Sequence, residues 1–155
     1  MTETDRLVVR RFTENDAEAL YEILSDPAVM QYIEPPYTMA QTREFIRDAG
    51  LSDPPLVYAV IWKNTGRLIG HLIWHTYDPT AMELGWVIHR NFWRMGVARE
   101  LTAALLASTT QDIVIECDRR QSATRHIAKS FGFQLHGCID GRCIYQKHKN
   151  PIPRE

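Results

Sequence analysis

The sequence has few cysteines and few glycines, and their spacing excludes several kinds of site. Its 155 residues include three cysteines, Cys117, Cys138 and Cys143. This odd number, at these spacings, fits neither a disulfide framework nor a zinc motif, so the sequence predicts three free thiols, as in a reducing cytoplasm. The 8 glycines form neither a G-x-G-x-x-G fingerprint nor a P-loop, so the usual nucleotide-binding motifs are missing.

Long apolar runs and an excess of one charge are also missing. The longest uncharged apolar stretch, residues 68–75, falls far short of the roughly 20 residues that span a bilayer, and charged Asp5 and Arg6 rule out a signal-peptide core. We therefore expect a cytoplasmic protein with no membrane partner. Because 18 Lys and Arg balance 19 Asp and Glu, no basic field for nucleic acid is expected.

What is present is typical of one ordinary globular domain. Apolar residues make up 45% of the chain and charged residues 24%, close to the average for such domains. A chain of this length fits a single domain over residues 1–155 and can bury a core without a metal or disulfides.

Hydrophobic periodicity and turn residues predict an alternating set of strands and helices. Two candidate capping boxes, Asn15 with Glu18 and Thr38 with Gln41, open the first two helices. The segment 81–117 has the form strand–helix–strand, which favours a parallel pair in an otherwise antiparallel sheet. The predicted strands are 6–12, 56–62, 67–75, 81–88, 112–117, 133–139 and 142–147, and the predicted helices are 13–26, 39–49, 97–108 and 122–131.

The stretch from Glu83 to Leu105 carries the clearest chemical signal. A strand ends near Ile88, an Arg-rich loop follows, and a helix begins after Gly96. The start of a helix exposes unpaired N–H groups and the positive end of its dipole, which suit a phosphate or pyrophosphate. Gly96 would let the backbone approach such a ligand closely.

Three motifs in order give the chain a resemblance to a known family. The opening TDRLVVRRFTENDAEALYEILSDPAVMQYI, the central ELGWVIHRNFWRMGVARELTAALL and the late QSATRHIAKSFGFQLHG together resemble the GNAT superfamily of acyl-CoA-dependent N-acetyltransferases. The closest resemblance is to the branch of ribosomal-protein N-terminal acetyltransferases. This resemblance implies an α/β (α+β) fold: a mixed, mostly antiparallel sheet with helices on both faces and a central parallel strand–helix–strand unit.

The resemblance also implies acetyl-CoA as co-substrate, no metal, and a set of cofactor-binding residues. The amides from Met95 to Ala98 would hold the pyrophosphate, and the free edge of strand 84–88 would pair with the pantetheine arm. A backbone amide of Val87 or Ile88 would then donate to the thioester carbonyl. The expected cofactor-binding residues are Trp86, Val87, Ile88, Arg94, Met95, Gly96, Val97, Ala98, Arg99, Gln121 and Thr124.

The chain departs from the family pattern where the leaving thiolate would be protonated. Ala128 occupies the position at which many relatives carry a tyrosine acid. Thr124, where this branch often has serine, is therefore the candidate that would donate to the sulfur, with Tyr145 as a second candidate. Gln121 stands where the family usually has asparagine.

Glu83 is the predicted base. It lies within an apolar strand, and the family often places a catalytic or water-ordering glutamate there. Burial of a carboxyl among apolar groups favours its protonated form and so improves it as a proton acceptor. His71 and His75, four residues apart on a strand, point to one face but lie about 13 Å apart, too far to share one metal.

The acceptor pocket is expected between the segment 25–50 and the terminal hairpin. The predicted substrate-binding residues are Tyr32, Glu34, Tyr37, His71 and Trp74. Glu34 would hold a cationic amine.

The residues leave several functions open. The main hypothesis is acetyl transfer to a primary amine, which is a protein N-terminus, an amino acid or a small-molecule amine. The alternatives are transfer of a different acyl group, a catalytically degenerate CoA-binding or regulatory module, and a purely structural or interaction domain. A homodimer formed by exchange of the terminal hairpin is a further expectation.

Overall fold

Eight strands form one sheet in the computed structural model, which describes residues 1–149. The strands are β1 (Thr2–Glu3), β2 (Leu7–Arg10), β3 (Val57–Trp62), β4 (Arg67–Asp78), β5 (Ala81–Ile88), β6 (Asp112–Asp118), β7 (Gln134–Ile139) and β8 (Arg142–Lys147). Their spatial order is β1-β2-β3-β4-β5-β6-β8-β7. Among the described residues, β5 and β6 form the one parallel pair. The predicted mixed, mostly antiparallel sheet is confirmed.

Helices cover both faces of this sheet. They are α1 (Ala17–Leu24), α2 (Pro27–Met30), α3 (Met39–Phe45), α4 (Val97–Ser108) and α5 (Ser122–Ser130). Short 3₁₀ turns span Glu14–Asp16 and Arg90–Phe92, and a π-helical turn, Ile46–Gly50, continues α3. The two-residue β1 and the short α2 were not predicted, because neither is long enough to show a period.

Two apolar clusters, one on each side of the sheet, make up the core. On one side, Leu101 and Leu105 of α4 and Ala128 of α5 pack with Leu84 and Ile88 of β5. On the other side, α1 and the π turn pack against β3 and Val87. Successive strand residues point to opposite faces, so Ile88 and its neighbour Val87 belong to different clusters.

One predicted helix start is confirmed and one is wrong. Thr38 and Gln41 form the expected capping box at α3. At the first helix the box is Thr13 with Asp16, rather than Asn15 with Glu18. The Arg10 side chain explains the shift, because its guanidinium donates to both Asp16 oxygens at 2.9 Å and fixes that carboxylate beside the Thr13 amide.

The terminal hairpin corrects the prediction of three free thiols. Asp140 and Gly141 turn with positive φ (52° and 79°), as a two-residue hairpin loop requires. This turn sets Cys138 opposite Cys143, with Cα atoms 4.0 Å apart, and the two form a disulfide. Cys117, opposite Cys143 on β6, is a buried free thiol. Linear spacing could not show this pairing, since it depends on strand register.

Strands β5 and β6 separate part-way along their length. Their pairing runs from Ala81 with Asp112 to Glu83 with Val114. Beyond Glu83, the described part of β6 offers β5 no further partner, although β5 continues to Ile88. The segment 84–88 therefore has a free edge toward β6, in the middle of the sheet.

Candidate active site

A cavity of about 550 Å³ surrounds this free edge. Trp86 and Val87 both line it, although they point to opposite faces of the sheet. The cavity therefore connects the α4–α5 side of the sheet with the α1–α3 side. Its lining residues are Ala28, Val29, Gln31, Tyr32, Ile33, Trp86, Val87, Ile88, Phe92, Trp93, Arg94, Gly96, Val97, Ala98, Arg99, Arg120, Gln121, Ser122, Ala123, Thr124, His126 and Ile127.

The start of α4 forms one wall of the cavity with its backbone. Gly96 caps the helix in the left-handed region (φ 79°), and its carbonyl accepts the first helical hydrogen bond, from Glu100 N at 2.9 Å. The N–H groups of the first turn, at Val97, Ala98 and Arg99, have no acceptor within the helix. They present three aligned donors and the positive end of the helix dipole to the cavity.

A residue far away in sequence holds the loop before α4, residues 89–96, which we call the α4 loop. The Arg6 guanidinium donates to Met95 O at 2.8 Å and to Glu100 Oε1 at 2.7 Å. Burial opposes ionisation of Glu100, but hydrogen bonds from Thr4 and Arg6 outweigh it and hold the pKa of Glu100 below its usual value. This brace was not predicted, because it joins residues 94 positions apart.

The rest of the α4 loop is fixed by Trp93 and by local backbone geometry. Trp93 Nε1 donates to Ile88 O at 2.8 Å, which ties the loop back to the end of β5. Arg94 adopts a positive φ of 61°, and its side chain lines the cavity. Arg99 also lines the cavity while donating to Ser130 Oγ at 3.0 Å.

The opposite wall comes from α5 and the turn before it. Gln121 Oε1 accepts from Asp118 N at 2.9 Å and so shapes this turn, and Thr124 lines the cavity one turn into the helix. The Arg120 guanidinium lies 4.7 Å from the ring centre of Tyr32. Because Tyr32 follows α2, this cation–π contact bridges the cavity between its two sides.

Strand register decides which β5 amides face the free edge. His89 N donates to Ile69 O on β4 at 2.7 Å. Because N–H groups alternate sides along a strand, Val87 N–H also points toward β4, whereas the N–H groups of Trp86 and Ile88 point toward the free edge. Of the two amides expected to donate into the site, Ile88 has the suitable direction and Val87 does not.

Glu83 lies at the last paired position before the strands separate. Its neighbourhood is less apolar than the sequence predicts, because His75 sits directly opposite on β4. Glu83 Oε2 lies 2.8 Å from His75 Nε2, and the two side chains are 19% and 27% exposed. Glu83 is on the same sheet face as Val87, at the α1–α3 side of the free edge.

Two more titratable groups lie beside this pair, and we call His75, Tyr77, Glu83 and Glu116 the carboxylate corner. The Tyr77 hydroxyl donates to Glu116 Oε1 at 3.1 Å, and Arg142 Nε donates to Glu116 Oε2, also at 3.1 Å. The hydrogen bond to Glu116 raises the pKa of Tyr77, helped by slight burial and by the charge of Glu83. Sequence analysis missed Tyr77 and Glu116, which only the register of β4, β5 and β6 brings together.

The residues expected to bind the acceptor are divided between two places. Tyr32 lines the cavity. Glu34 instead accepts from the Tyr37 hydroxyl at 2.7 Å, and burial together with Glu34 raises the pKa of Tyr37 to about 12. His71 is buried beneath Phe45, with ring centres 5.2 Å apart. Trp74 packs against the α4–α5 core. The structure therefore leaves Glu34, Tyr37, His71 and Trp74 outside the cavity lining.

The positions considered for an acid also differ in placement. Thr124 faces the cavity. Tyr145 is fully buried, and its hydroxyl accepts from Arg125 Nε at 2.8 Å. Ala128 points into the core. Cys117 is buried, which raises the pKa of its thiol and makes it a poor nucleophile.

A family model for the acetyltransferase (GNAT) domain matches residues 6–134. The chain belongs to the GNAT acetyltransferase family. GNAT enzymes are N-acetyltransferases that use CoA thioesters, so the expected enzyme class is confirmed. The matched range contains the whole central motif and nearly all of the opening and late motifs.

Curated relatives are also named N-acetyltransferases. The uncharacterized N-acetyltransferase YnaD of Bacillus subtilis (strain 168) is 29% identical over 148 residues, covering 91% of this chain and 86% of the relative. The uncharacterized N-acetyltransferase p20 of Bacillus licheniformis is 31% identical over 161 residues, covering 96% and 89%. These GNAT relatives match this chain over nearly its whole length.

Solved structures share the fold. A GNAT-family acetyltransferase from Bacillus anthracis has a TM-score of 0.84 and 25% identity, and the match covers 95% of this chain and 97% of that one. RimL, a ribosomal L7/L12 α-N-protein acetyltransferase solved with coenzyme A, has a TM-score of 0.76 and 19% identity over 94% and 95%. This chain therefore shares its fold with a ribosomal-protein N-terminal acetyltransferase.

Residues 1–149 contain neither a metal-ion site nor a membrane-spanning helix. No three His, Cys, Asp or Glu side chains of this range gather in a way that would hold a metal ion. None of the helices in this range has the length and apolar character needed to cross a membrane.

Proposed function

We propose that this GNAT protein transfers an acetyl group from acetyl-CoA to a primary amine. The observation that carries the proposal is the cavity that runs from the exposed start of α4 to the free edge of β5. It joins a place suited to a pyrophosphate with a place beside a carboxylate. RimL, which shares the fold, was solved with coenzyme A.

The residues around the cavity fit coenzyme A. The amides of Val97, Ala98 and Arg99 would hold the pyrophosphate, with Gly96 allowing close approach. A Cβ added to Gly96 would meet Arg6 Nη2 at 3.4 Å and would have to adopt the left-handed region. The arginine side chains of Arg94 and Arg99 would add charge, while Gln121 and Thr124 line the opposite wall.

Each of the following residues would have a separate role in acetyl transfer. Bound acetyl-CoA supplies an activated acyl carbon as a thioester. The Ile88 amide would donate to its carbonyl oxygen as negative charge develops there. Glu83 would take a proton from the incoming amine, directly or through water, because only the neutral amine is nucleophilic. The Thr124 hydroxyl would hydrogen-bond the departing sulfur.

The acceptor would enter from the α1–α3 side, where the carboxylate corner lies. Glu83 and Glu116 make this end of the site suitable for a cationic amine, and Tyr32 forms part of the wall. The segment from Ala28 to Ile33 supplies most of the contacts on this side. A protein N-terminus, an amino acid and a small amine all carry the required group.

Two measurements test the proposal. Calorimetric titration with acetyl-CoA should give saturable binding with micromolar affinity, and no binding at millimolar concentration would contradict it. Release of CoA thiol over a panel of N-terminal peptides, amino acids and small amines should then identify the acceptor class. Binding without thiol release for any amine would favour the alternative, a catalytically degenerate CoA-binding module. Homodimer formation remains a prediction.

A further inference from the structure

His75 has an acceptor on each side of its ring. On one side, Nδ1 lies 2.9 Å from the carbonyl oxygen of Thr76. On the other, Nε2 lies 2.8 Å from Glu83 Oε2. The two residues sit directly opposite each other on β4 and β5, so the sheet register itself sets this contact. His75 is 27% exposed and Glu83 19%, so the pair is partly shielded from water.

Elementary hydrogen-bond chemistry fixes where the protons are. A carbonyl oxygen only accepts, so Nδ1 must carry a hydrogen. A neutral imidazole with its hydrogen on Nδ1 has a bare lone pair on Nε2, and an ionised carboxylate offers only lone pairs. Two such atoms do not rest 2.8 Å apart without a proton between them. The contact therefore requires a proton on His75 Nε2 or on Glu83 Oε2, between the two atoms.

We propose that His75 and Glu83 act as one proton-sharing dyad. In this dyad the Thr76 carbonyl oxygen sets the tautomer of His75. His75 in turn positions Glu83 and shares the proton that Glu83 takes up. The inference rests on the proposed function for its catalytic role. The shared proton itself is a property of the free protein. Glu83 is the residue that would contact the amine, and His75 acts through it as a positioning residue.

The proton balance of the step is as follows. After the dyad has released its resting proton to solvent, one N–H bond of the acceptor ammonium breaks, and the proton passes to Glu83 and comes to rest between Oε2 and Nε2. The nitrogen keeps its electron pair and forms a C–N bond to the acetyl carbon. The C–S bond breaks with its pair on sulfur, and the second proton lost by nitrogen goes to that thiolate. The dyad then holds one proton again, as in the free protein.

Other titratable groups lie close enough to affect the dyad. Tyr77 of β4 and Glu116 of β6 complete the carboxylate corner, and Arg142 of β8 bonds to Glu116. His71 lies on the same face of β4, four residues earlier, and is buried. None of these side chains bridges Nε2 and Oε2, so the shared proton belongs to His75 and Glu83.

Nitrogen-15 NMR of the imidazole rings tests the dyad in the free protein, without substrate. We expect the neutral form of His75 to carry its hydrogen on Nδ1, the less common tautomer of free histidine. We also expect Glu83→Gln to move the Nε2 resonance of His75, because the partner of that nitrogen changes from a carboxylate to an amide. A neutral His75 with its hydrogen on Nε2, or an Nε2 resonance that is the same in Glu83→Gln, would overturn the proposal.

The pH dependence of kcat tests the catalytic role. His75→Gln keeps an N–H donor for Glu83 but cannot gain or lose a proton, so kcat should fall roughly tenfold or more and its pH profile should change shape. His148→Gln is a matched control, since His148 lies 2.7 Å from Asp112 in a second His–carboxylate pair, at the start of β6 and away from the free edge of β5. It should keep the wild-type profile.

The two proposals fail in different ways. Should His75→Gln match the wild type in kcat and profile while thiol release continues, the dyad is wrong and the acetyltransferase proposal stands. Should no amine cause thiol release although His75 carries its hydrogen on Nδ1, the acetyltransferase proposal fails, and so does the dyad's catalytic role. Only the statement that His75 and Glu83 share a proton in the free protein would then stand.

Discussion

The α4 loop lines the cavity, whereas the carboxylate corner lies outside its lining, where β5 and β6 separate. Different chemical groups form the two regions. At the α4 loop, backbone amides and the positive φ of Gly96 provide the binding groups, and side chains such as Arg6 hold the backbone in place. At the carboxylate corner, the backbone of the sheet is regular and side chains provide the chemistry. Backbone groups suit a fixed anion, whereas side chains can gain and lose protons.

A second difference concerns sequence distance. The α4 loop and the helix that follows it are continuous in sequence, so their spacing reveals the site. The corner assembles residues of β4, β5 and β6 through register. Binding and proton transfer in this protein should therefore respond to different substitutions.

Removing the Glu83 carboxylate should change kcat more than any other substitution considered. Glu83→Gln keeps the shape and a hydrogen bond to His75 but cannot accept a proton. We expect kcat to fall by roughly 10²- to 10⁴-fold, measured by CoA thiol release at saturating substrates. Affinity for acetyl-CoA should stay within about twofold of wild type, in the range of ordinary surface changes. A variant with wild-type kcat would remove Glu83 from the mechanism.

The next prediction concerns the pH dependence of stability. It depends on a difference between His71 and His75, two histidines on one strand face. His71 is fully buried, and its Nδ1 has no hydrogen-bond partner among the described residues. Burial lowers its pKa to about 4 from 6.5. Below pH 6.5 the unfolded chain binds a proton that the folded protein does not. Stability from this group is thus complete above pH 6.5 and is lost as the pH falls toward 4, by about 3 kcal/mol.

Urea unfolding across this pH range measures that loss. His71→Leu should flatten the free energy of unfolding between pH 6.5 and 4, because no titrating group remains at the position. His136→Gln, at an exposed site on β7, should keep the wild-type slope. If His71→Leu retains the full slope, His71 is not the group responsible.

The terminal hairpin provides the third prediction. The Cys138–Cys143 disulfide closes a short loop, with a sequence separation of 5, and such a loop stabilises a fold by about 2 kcal/mol in the chain-entropy model. Cys138→Ser, at the exposed member of the pair, should lower the free energy of unfolding by about that much without reductant. With reductant, variant and wild type should unfold alike. Equal stability in both conditions would argue that the bond does not form in solution.

The smallest expected effect tests the backbone of the α4 loop against a matched turn. Gly96 and Gly66 share a positive φ (79° and 73°), and a Cβ on Gly66 would meet no atom within 4 Å. Alanine in this conformation costs about 1–2 kcal/mol at either site. Gly96→Ala should therefore weaken acetyl-CoA binding roughly tenfold by calorimetry, whereas Gly66→Ala should lower stability and leave binding unchanged. Equal affinities for the two variants would contradict the assignment of the α4 loop.

Local patterns predicted much of the fold and one end of the site. The β-branched strands, the Thr38 capping box and the Asp140–Gly141 turn are signals within a few residues, and the structure confirms them. The glycine before α4 is a signal of the same kind. The α4 loop can be recognised from its own sequence, because its binding groups are backbone amides of consecutive residues.

Other features depend on which residues face each other across strands. The brace between Arg6 and Glu100, the disulfide, and the contact of His75 with Glu83 each need the register of the folded sheet. His71 and His75 look equivalent in sequence. Yet His71 is buried with no hydrogen-bond partner for its Nδ1 in residues 1–149, whereas His75 has a partner on both sides of its ring. Their difference comes from Phe45 above one and Glu83 opposite the other.

The α4 loop should bind the cofactor, whereas the carboxylate corner should take up the proton of the amine. A single-turnover measurement with acetyl-CoA at saturation tests this division of roles most directly, because saturation removes any difference in affinity. The account predicts that Gly96→Ala then transfers the acetyl group at close to the wild-type rate, whereas Glu83→Gln remains slower by roughly 10²-fold or more. Equal rates for these two variants, whether both fast or both slow, would contradict it.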